Sequence, residues 1–208
     1  MKKTNLIILW ALLLSQTVQA KLQIFTCEPE WAALSQELGG DLISVNSATK
    51  AGQDPHHIQA RPSLIAKIRH ADLLVCSGAD LEIGWLPILL RKSGNHQIQV
   101  GQKGYFMATQ AVKLLDKPQI IDRSMGDVHA AGNPHIQLDP RRIKIVAKKL
   151  SQRFQQLDPE NITFYQQKLS DFKRDWTIAI KQWKTKTHDL RGKKSSCITT
   201  VGSISNNG

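Results

Sequence analysis

Histidine is the residue type that gives this sequence its clearest potential for chemistry. Two of the seven histidines share a local context: His56 follows an Asp-Pro pair and His135 follows an Asn-Pro pair. Proline fixes the backbone just before each imidazole, so less conformational entropy is lost when the ring holds a ligand. Neutral imidazole is a strong ligand for zinc and other late divalent metals. The two motifs predict a metal site, although a loop histidine beside a proline is also a common surface residue.

The long separation between His56 and His135 excludes a zinc-finger spacing, so the fold must bring two loops together. The three cysteines, Cys27, Cys76 and Cys197, have no C-x-x-C spacing, and a cysteine zinc site is not predicted. Cys27 and Cys76 each end an apolar, strand-like run. A disulfide across neighbouring strands and two buried free thiols both fit this pattern.

Strand-like and helix-like segments alternate along the first 157 residues, with short links between them. The predicted strands are 22–27, 41–46, 72–76, 98–100 and 119–121, and the predicted helices are 30–38, 62–69, 81–90 and 141–157. This alternation predicts an α/β fold with an open parallel sheet flanked by helices. In such sheets ligands bind beyond the carboxyl ends of the strands.

A long helix is predicted from Pro159 to about His188, because this stretch contains no further proline and no glycine. Such a helix of about thirty residues would be about 45 Å long, which suggests a strut between two lobes. Its large apolar residues recur at steps of about three to four and are interpreted as core: Phe164, Leu169, Phe172, Trp176, Ile180 and Trp183.

Residues 1–20 have the pattern of a cleaved secretory signal. Lys2 and Lys3 precede an apolar run, and small residues at Val18 and Ala20 suit a signal peptidase. The mature chain would begin at Lys21 and lie in the periplasm. No cysteine follows the cleavage site, so a lipid anchor at the new N-terminus is not predicted.

The net charge of +11 raises the possibility of an anionic partner. Most Lys and Arg residues lie between residues 141 and 194 on a helical pattern. This favours a solvated helix face, and the predicted export argues against nucleic acid.

Several segments follow one another in the order of a known family. They are 25–31, 54–56, 62–63, 71–78, 81–86, 126–129 and 133–140. Together they make residues 21–194 resemble the zinc/manganese ABC-transporter solute-binding proteins. The resemblance implies two α/β lobes joined by one rigid helix, with the metal in the cleft between them. It also implies a monomer that delivers its metal to a membrane permease.

The resemblance also implies individual ligands. His56 matches the first histidine ligand, with the adjacent His57 as its rival, and His135 matches the second. His129 lies in a loop like that of one subgroup of zinc binders and is expected to be an accessory ligand. Many members have an acidic residue where this chain has Leu64.

The same resemblance divides the chain into a metal-binding lobe at 21–157, an interlobe helix at 158–188 and the start of a second lobe at 189–208. The family's third histidine and its carboxylate ligand would lie in that second lobe, which is expected to be largely missing. We expect a truncation or a frameshift, because a shifted frame over codons 197–204 can encode a histidine followed by a tryptophan.

The predicted function is capture of Zn²⁺, with Mn²⁺ less favoured, for an ABC importer in an impaired form. A zinc hydrolase is one alternative. It needs a general base, and no H-E-x-x-H motif occurs; Asp54 and Asp127 are explained equally well as turn residues. A zinc-binding protein outside transport, such as a metal chaperone, is another alternative.

Overall fold

The computed structural model describes residues 20–118 and 129–190. Three predictions lie outside these residues: the signal segment up to residue 19, the strand at 119–121 and the start of a second lobe after residue 190.

Within the described residues, four parallel strands form one sheet and five helices flank it. The strands are β1 Leu22–Thr26, β2 Ile43–Ser47, β3 Leu73–Cys76 and β4 Tyr105–Met107. The helices are α1 Pro29–Gly39, α2 Pro62–Arg69, α3 Leu86–Ser93, α4 Pro140–Leu157 and α5 Ile162–Lys186. The strand order is β2-β1-β3-β4 and each neighbouring pair is parallel. The predicted open parallel sheet is confirmed.

The two faces of the sheet bury separate sets of side chains, as the two-residue period of a strand requires. Ile24, Leu73 and Val75 face a core formed with α1, α4 and α5. Phe25 and Leu74 face the other way, towards α2 and α3. Because both faces are covered, the central strand β3 is a continuous buried apolar run, whereas the edge strand β2 alternates apolar and polar residues.

The strand predicted at 98–100 is wrong. Ile98 ends a 3-10 turn, Val100 is exposed, and the chain then turns back through a hydrogen bond from Gln102 N to Gln99 O. The fourth strand is β4, a few residues later. Gly104 makes its position possible, since a Cβ there would stand 2.5 Å from the carbonyl oxygen of Gln97.

The helix predicted at 81–90 begins later, at Leu86. Trp85, directly before it, has a φ of −139°, which lies outside the helical region, and the preceding Gly78, Ala79 and Asp80 all have positive φ angles. The carboxylate of Glu82 accepts hydrogen bonds from the backbone N–H groups of Ser77 and Gly78, and this interaction holds the turn.

The long C-terminal helix is confirmed as α5, with a 3-10 turn over Pro159–Asn161 before it. The prediction that the large apolar residues of α5 are core residues is correct for the first half of the helix only. Phe172 is buried, but Trp183 is 42% exposed because the helix extends past the sheet. None of the helices within 20–118 and 129–190 has the length and hydropathy that crossing a bilayer requires.

Candidate metal site

The loop after β2 places His56 at the carboxyl edge of the sheet. Its anchor is Trp85, which is buried and donates an indole hydrogen bond to the carbonyl oxygen of Pro55 at 2.8 Å. The carboxylate of Asp54 accepts from the backbone N–H of His56 at 2.9 Å and lies 2.7 Å from its Nδ1. Because Asp54 engages Nδ1, the other ring nitrogen, Nε2, is left free to face a metal.

The second loop holds His135 just before α4. The backbone N–H of His135 donates to the side-chain oxygen of Asn133 at 3.0 Å, and a short 3-10 turn, Ile136–Leu138, follows. Asp139 then caps α4 by accepting from Arg141 N, and it pairs with the guanidinium of Arg142. These contacts fix the backbone of His135 at the point where the loop enters a core helix.

Two imidazoles meet at this edge, and a third ring lies beside one of them. Nε2 of His56 lies 3.3 Å from Nε2 of His129, and the two rings stack at 5.3 Å between centroids. The ring of His129 meets that of His135 edge-on at 6.2 Å. Two nitrogens bound to one tetrahedral zinc at about 2.05 Å stand about 3.3 Å apart, so the first pair already has the spacing of two zinc ligands.

Burial favours the ligating form of His135. The pKa of His135 is lowered, first by desolvation and then by the neighbouring rings of His129 and His56. Since only the neutral imidazole has a lone pair for a cation, this shift keeps the ring in its metal-binding state.

The other histidines with described positions do not join this cluster. His57 is exposed, and its ring lies 6.3 Å from that of His56, so the geometry favours His56 over its rival. His70 and His96 precede β3 and β4 and so lie towards the opposite edge of the sheet, and His188 follows α5. The structure thus brings together His56, His129 and His135, and their role as ligands stays a prediction.

A second group of possible ligands lies under the same edge. Cys27, Cys76 and Glu82 are buried close together, but the two sulfurs form a disulfide between the ends of β1 and β3, and a disulfide offers no thiolate. The sequence left open whether Cys27 and Cys76 form a disulfide or remain free thiols, and the structure contains the disulfide.

Glu28 and Glu82 form a buried carboxyl pair that sequence reasoning missed. Glu82 accepts from two backbone N–H groups, whereas one oxygen of Glu28 receives no hydrogen bond. Burial, and then repulsion by Glu82, raises the pKa of Glu28 well above its usual range. Burial also raises the pKa of Glu82, and because the rise is larger for Glu28, Glu28 is the carboxyl expected to keep a proton. Nothing in the sequence around a glutamate at the end of a strand indicates that it will lie beside another carboxyl group.

The buried pair of Glu28 and Glu82 predicts that the stability of the protein depends on pH. Because its pKa is raised, native Glu28 keeps a proton that the unfolded chain releases above about pH 4.5, so the unfolding free energy falls as pH rises from there. The slope for one proton is at most about 1.4 kcal/mol per pH unit. Glu28→Gln keeps a donor towards Glu82 and removes this slope. Urea unfolding from about pH 5 to about pH 8 measures it.

The control is Glu37→Gln on the exposed side of α1. Relative to this control, Glu28→Gln is expected to gain stability steadily as pH rises. Parallel pH profiles for the two variants would show that Glu28 does not carry the proton.

The known proteins that resemble this chain are metal-binding components of ABC transporters. The family model described as "Zinc-uptake complex component A periplasmic" (ZnuA) matches residues 24–205. The manganese ABC transporter substrate-binding lipoprotein PsaA of Streptococcus pneumoniae is 25% identical over 193 residues, which are 90% of this chain and 58% of that protein. The chain therefore spans less than two thirds of the length of this relative.

Solved structures share the fold. A crystal structure of ZnuA matches with a TM-score of 0.72 at 21% identity, covering 88% of this chain and 66% of the other. A zinc-bound deletion mutant of ZnuA matches with a TM-score of 0.63 at 24% identity, covering 76% and 55%. Since the family match extends over most of the sequence, this chain belongs to the ZnuA family of metal-binding proteins of ABC transporters.

Proposed function

We propose that this protein captures Zn²⁺ outside the cytoplasm and delivers it to an ABC importer, with His56, His129 and His135 as ligands. The observation that carries the proposal is the 3.3 Å distance between Nε2 of His56 and Nε2 of His129, with the ring of His135 adjacent. This spacing fits tetrahedral zinc without rearrangement of the first two rings.

The donor set favours zinc over manganese. Three imidazoles suit zinc, whereas manganese prefers carboxylate, carbonyl and water oxygens. The relatives carry names or titles with either metal, so the family alone does not decide. Three protein ligands leave a fourth position, which a water molecule or a ligand from elsewhere in the protein would fill.

Location and partners follow from the same proposal. The signal pattern at 1–20 supports export to the periplasm, and a membrane permease with its ATPase would receive the metal. The interlobe role of α5 is part of the proposal: the helix extends beyond the sheet, as a strut to a second lobe would.

The hydrolase alternative has less support. A zinc hydrolase needs a carboxylate or another base near the open metal position. Asp54 is engaged with Nδ1 of His56, on the side of the ring away from His129, so it orients a ligand instead of facing that position. The relatives are named for substrate binding, which also favours capture over catalysis.

Calorimetric titration of the purified mature chain tests the metal. We expect one zinc ion per chain, and manganese binding at least about tenfold weaker, because imidazole ligands rank zinc above manganese in affinity. Tighter binding of manganese than of zinc, or no heat with either metal, would contradict the proposal.

A further inference from the structure

The positive charge of this protein is concentrated on two helices. Helix α4 carries six Lys and Arg residues and no Asp or Glu, and α5 carries six against two Asp. The remaining described residues contain ten Lys and Arg against thirteen Asp and Glu. The net charge of the two helices is thus +10, while the rest of the described chain is slightly negative.

The two helices present these charges on one side of the sheet. They pack against each other on the face that also holds α1. The ammonium group of Lys144 on α4 donates to the hydroxyl of Thr177 on α5 at 2.9 Å, which joins the lysine rows of the two helices. We call this the basic surface; its lysines are Lys144, Lys148, Lys149, Lys173, Lys181 and Lys184.

These lysines lack local countercharges. The ion pairs of α4 and α5 use arginines: Arg141 and Arg142 pair with Asp139, and Arg174 pairs with two aspartates of its own helix. Among residues 20–118 and 129–190, no carboxylate lies within 4.0 Å of an ammonium group of the basic surface. Their charge is therefore available to an external partner.

Apolar side chains are exposed between the lysines. Ile145 is 46% exposed beside Lys144, and Ile178 is 52% exposed beside Thr177. A helix surface that presents both cations and exposed apolar side chains can lie in the interface of a bilayer, where the cations meet anionic headgroups.

We propose that the basic surface docks on a membrane containing anionic phospholipids. Flexible lysines act as point charges and suit a mobile layer of headgroups, whereas ordered phosphate recognition in nucleic acids usually relies on arginine. The isoleucines would enter the boundary between headgroups and acyl chains. The surface lies on a helical face of the sheet, away from the histidines at its carboxyl edge, so the proposal does not depend on metal binding.

Co-sedimentation with lipid vesicles tests this surface. The mature chain, from Lys21 onward, is expected to bind phosphatidylcholine vesicles that contain about a third phosphatidylglycerol, and to be released between ~0.05 M and ~0.5 M NaCl. Each surface lysine contributes about a fivefold gain in partitioning to an anionic membrane. A triple variant with Lys148→Glu, Lys149→Glu and Lys181→Glu is therefore expected to bind about a hundredfold more weakly.

The matched control reverses three exposed lysines elsewhere, Lys50, Lys67 and Lys92, and changes the net charge equally. It is expected to keep most of the binding, and so is His56→Ala with His135→Ala. Circular dichroism establishes that each variant is folded. Equal losses in the two triple variants, equal binding to pure phosphatidylcholine, or tighter binding to a DNA duplex would each overturn the proposal.

Discussion

Replacement of His135 with alanine is expected to weaken zinc binding by at least about a hundredfold. Loss of a partner that only orients a ligand already costs about 10- to 100-fold, and His135 is predicted to contact the ion itself. His56→Ala should have an effect of the same order, because the ring of His56 is held by Asp54 at 2.7 Å and directed towards His129. Titration calorimetry, or competition with a fluorescent chelator, measures the change.

His57→Ala is the matched control, since His57 is the neighbour of a predicted ligand and is exposed. We expect it to bind zinc as the wild type does. His129→Ala separates a full ligand from an accessory one: a loss as large as that of His135→Ala indicates a ligand, and a loss of about tenfold indicates an accessory role. A strong loss of zinc affinity in His57→Ala, with no loss in His56→Ala, would show that His57 and not His56 is the ligand.

Loss of the Cys27–Cys76 disulfide is expected to lower the unfolding free energy by about 4 kcal/mol. The bridge closes a loop over a separation of 49 residues, and the chain-entropy relation gives about this value for such a loop. It joins the two central strands. The carbonyl oxygen of Cys27 also accepts from both N–H and O–H of Thr49, close to the loop that carries His56.

Urea unfolding of a variant with Cys27→Ala and Cys76→Ala measures this effect. Cys197→Ala, which removes a thiol outside the bridge, is the control and is expected to match the wild type. Zinc binding should survive in the folded fraction of the double variant, because the disulfide contributes no ligand. An unchanged unfolding midpoint would show that the bridge does not stabilise the native state.

The parts of the fold that could be predicted are those with strong periodicity. Strands β1 and β3 are buried apolar runs, and α2 matches its predicted limits of residues 62 and 69 because Pro62 suits a first helical turn. Helix α4 likewise begins at a proline after a capping aspartate, Asp139. In these segments local propensity and tertiary packing favour the same structure.

The errors occur where tertiary contacts override the local pattern. Val100 alternates with polar residues as a strand residue would, yet it lies in an exposed turn, while β4 is fixed by the fit of Gly104 against Gln97. The late start of α3 depends on Glu82, whose carboxylate binds backbone groups from the end of β3. The sequence of a helix-like segment gives no indication of such a contact.

The candidate site was predictable in part. The proline before each of His56 and His135 distinguished them from the other histidines, and the order of motifs assigned both loops to one edge. The resemblance indicated His129 as an accessory ligand, but the sequence did not give its distance from His56, which is 3.3 Å between the two Nε2 atoms. The choice between His56 and His57 also required the ring positions.

Zinc K-edge X-ray absorption on the metal-loaded chain measures the coordination directly. We expect one zinc ion with three histidine nitrogens at about 2.0–2.1 Å and a fourth, light ligand. The spectrum of the variant with His56→Ala and His135→Ala should lose the imidazole multiple-scattering signal. Sulfur in the first shell at about 2.3 Å, or coordination by oxygen alone, would contradict the account.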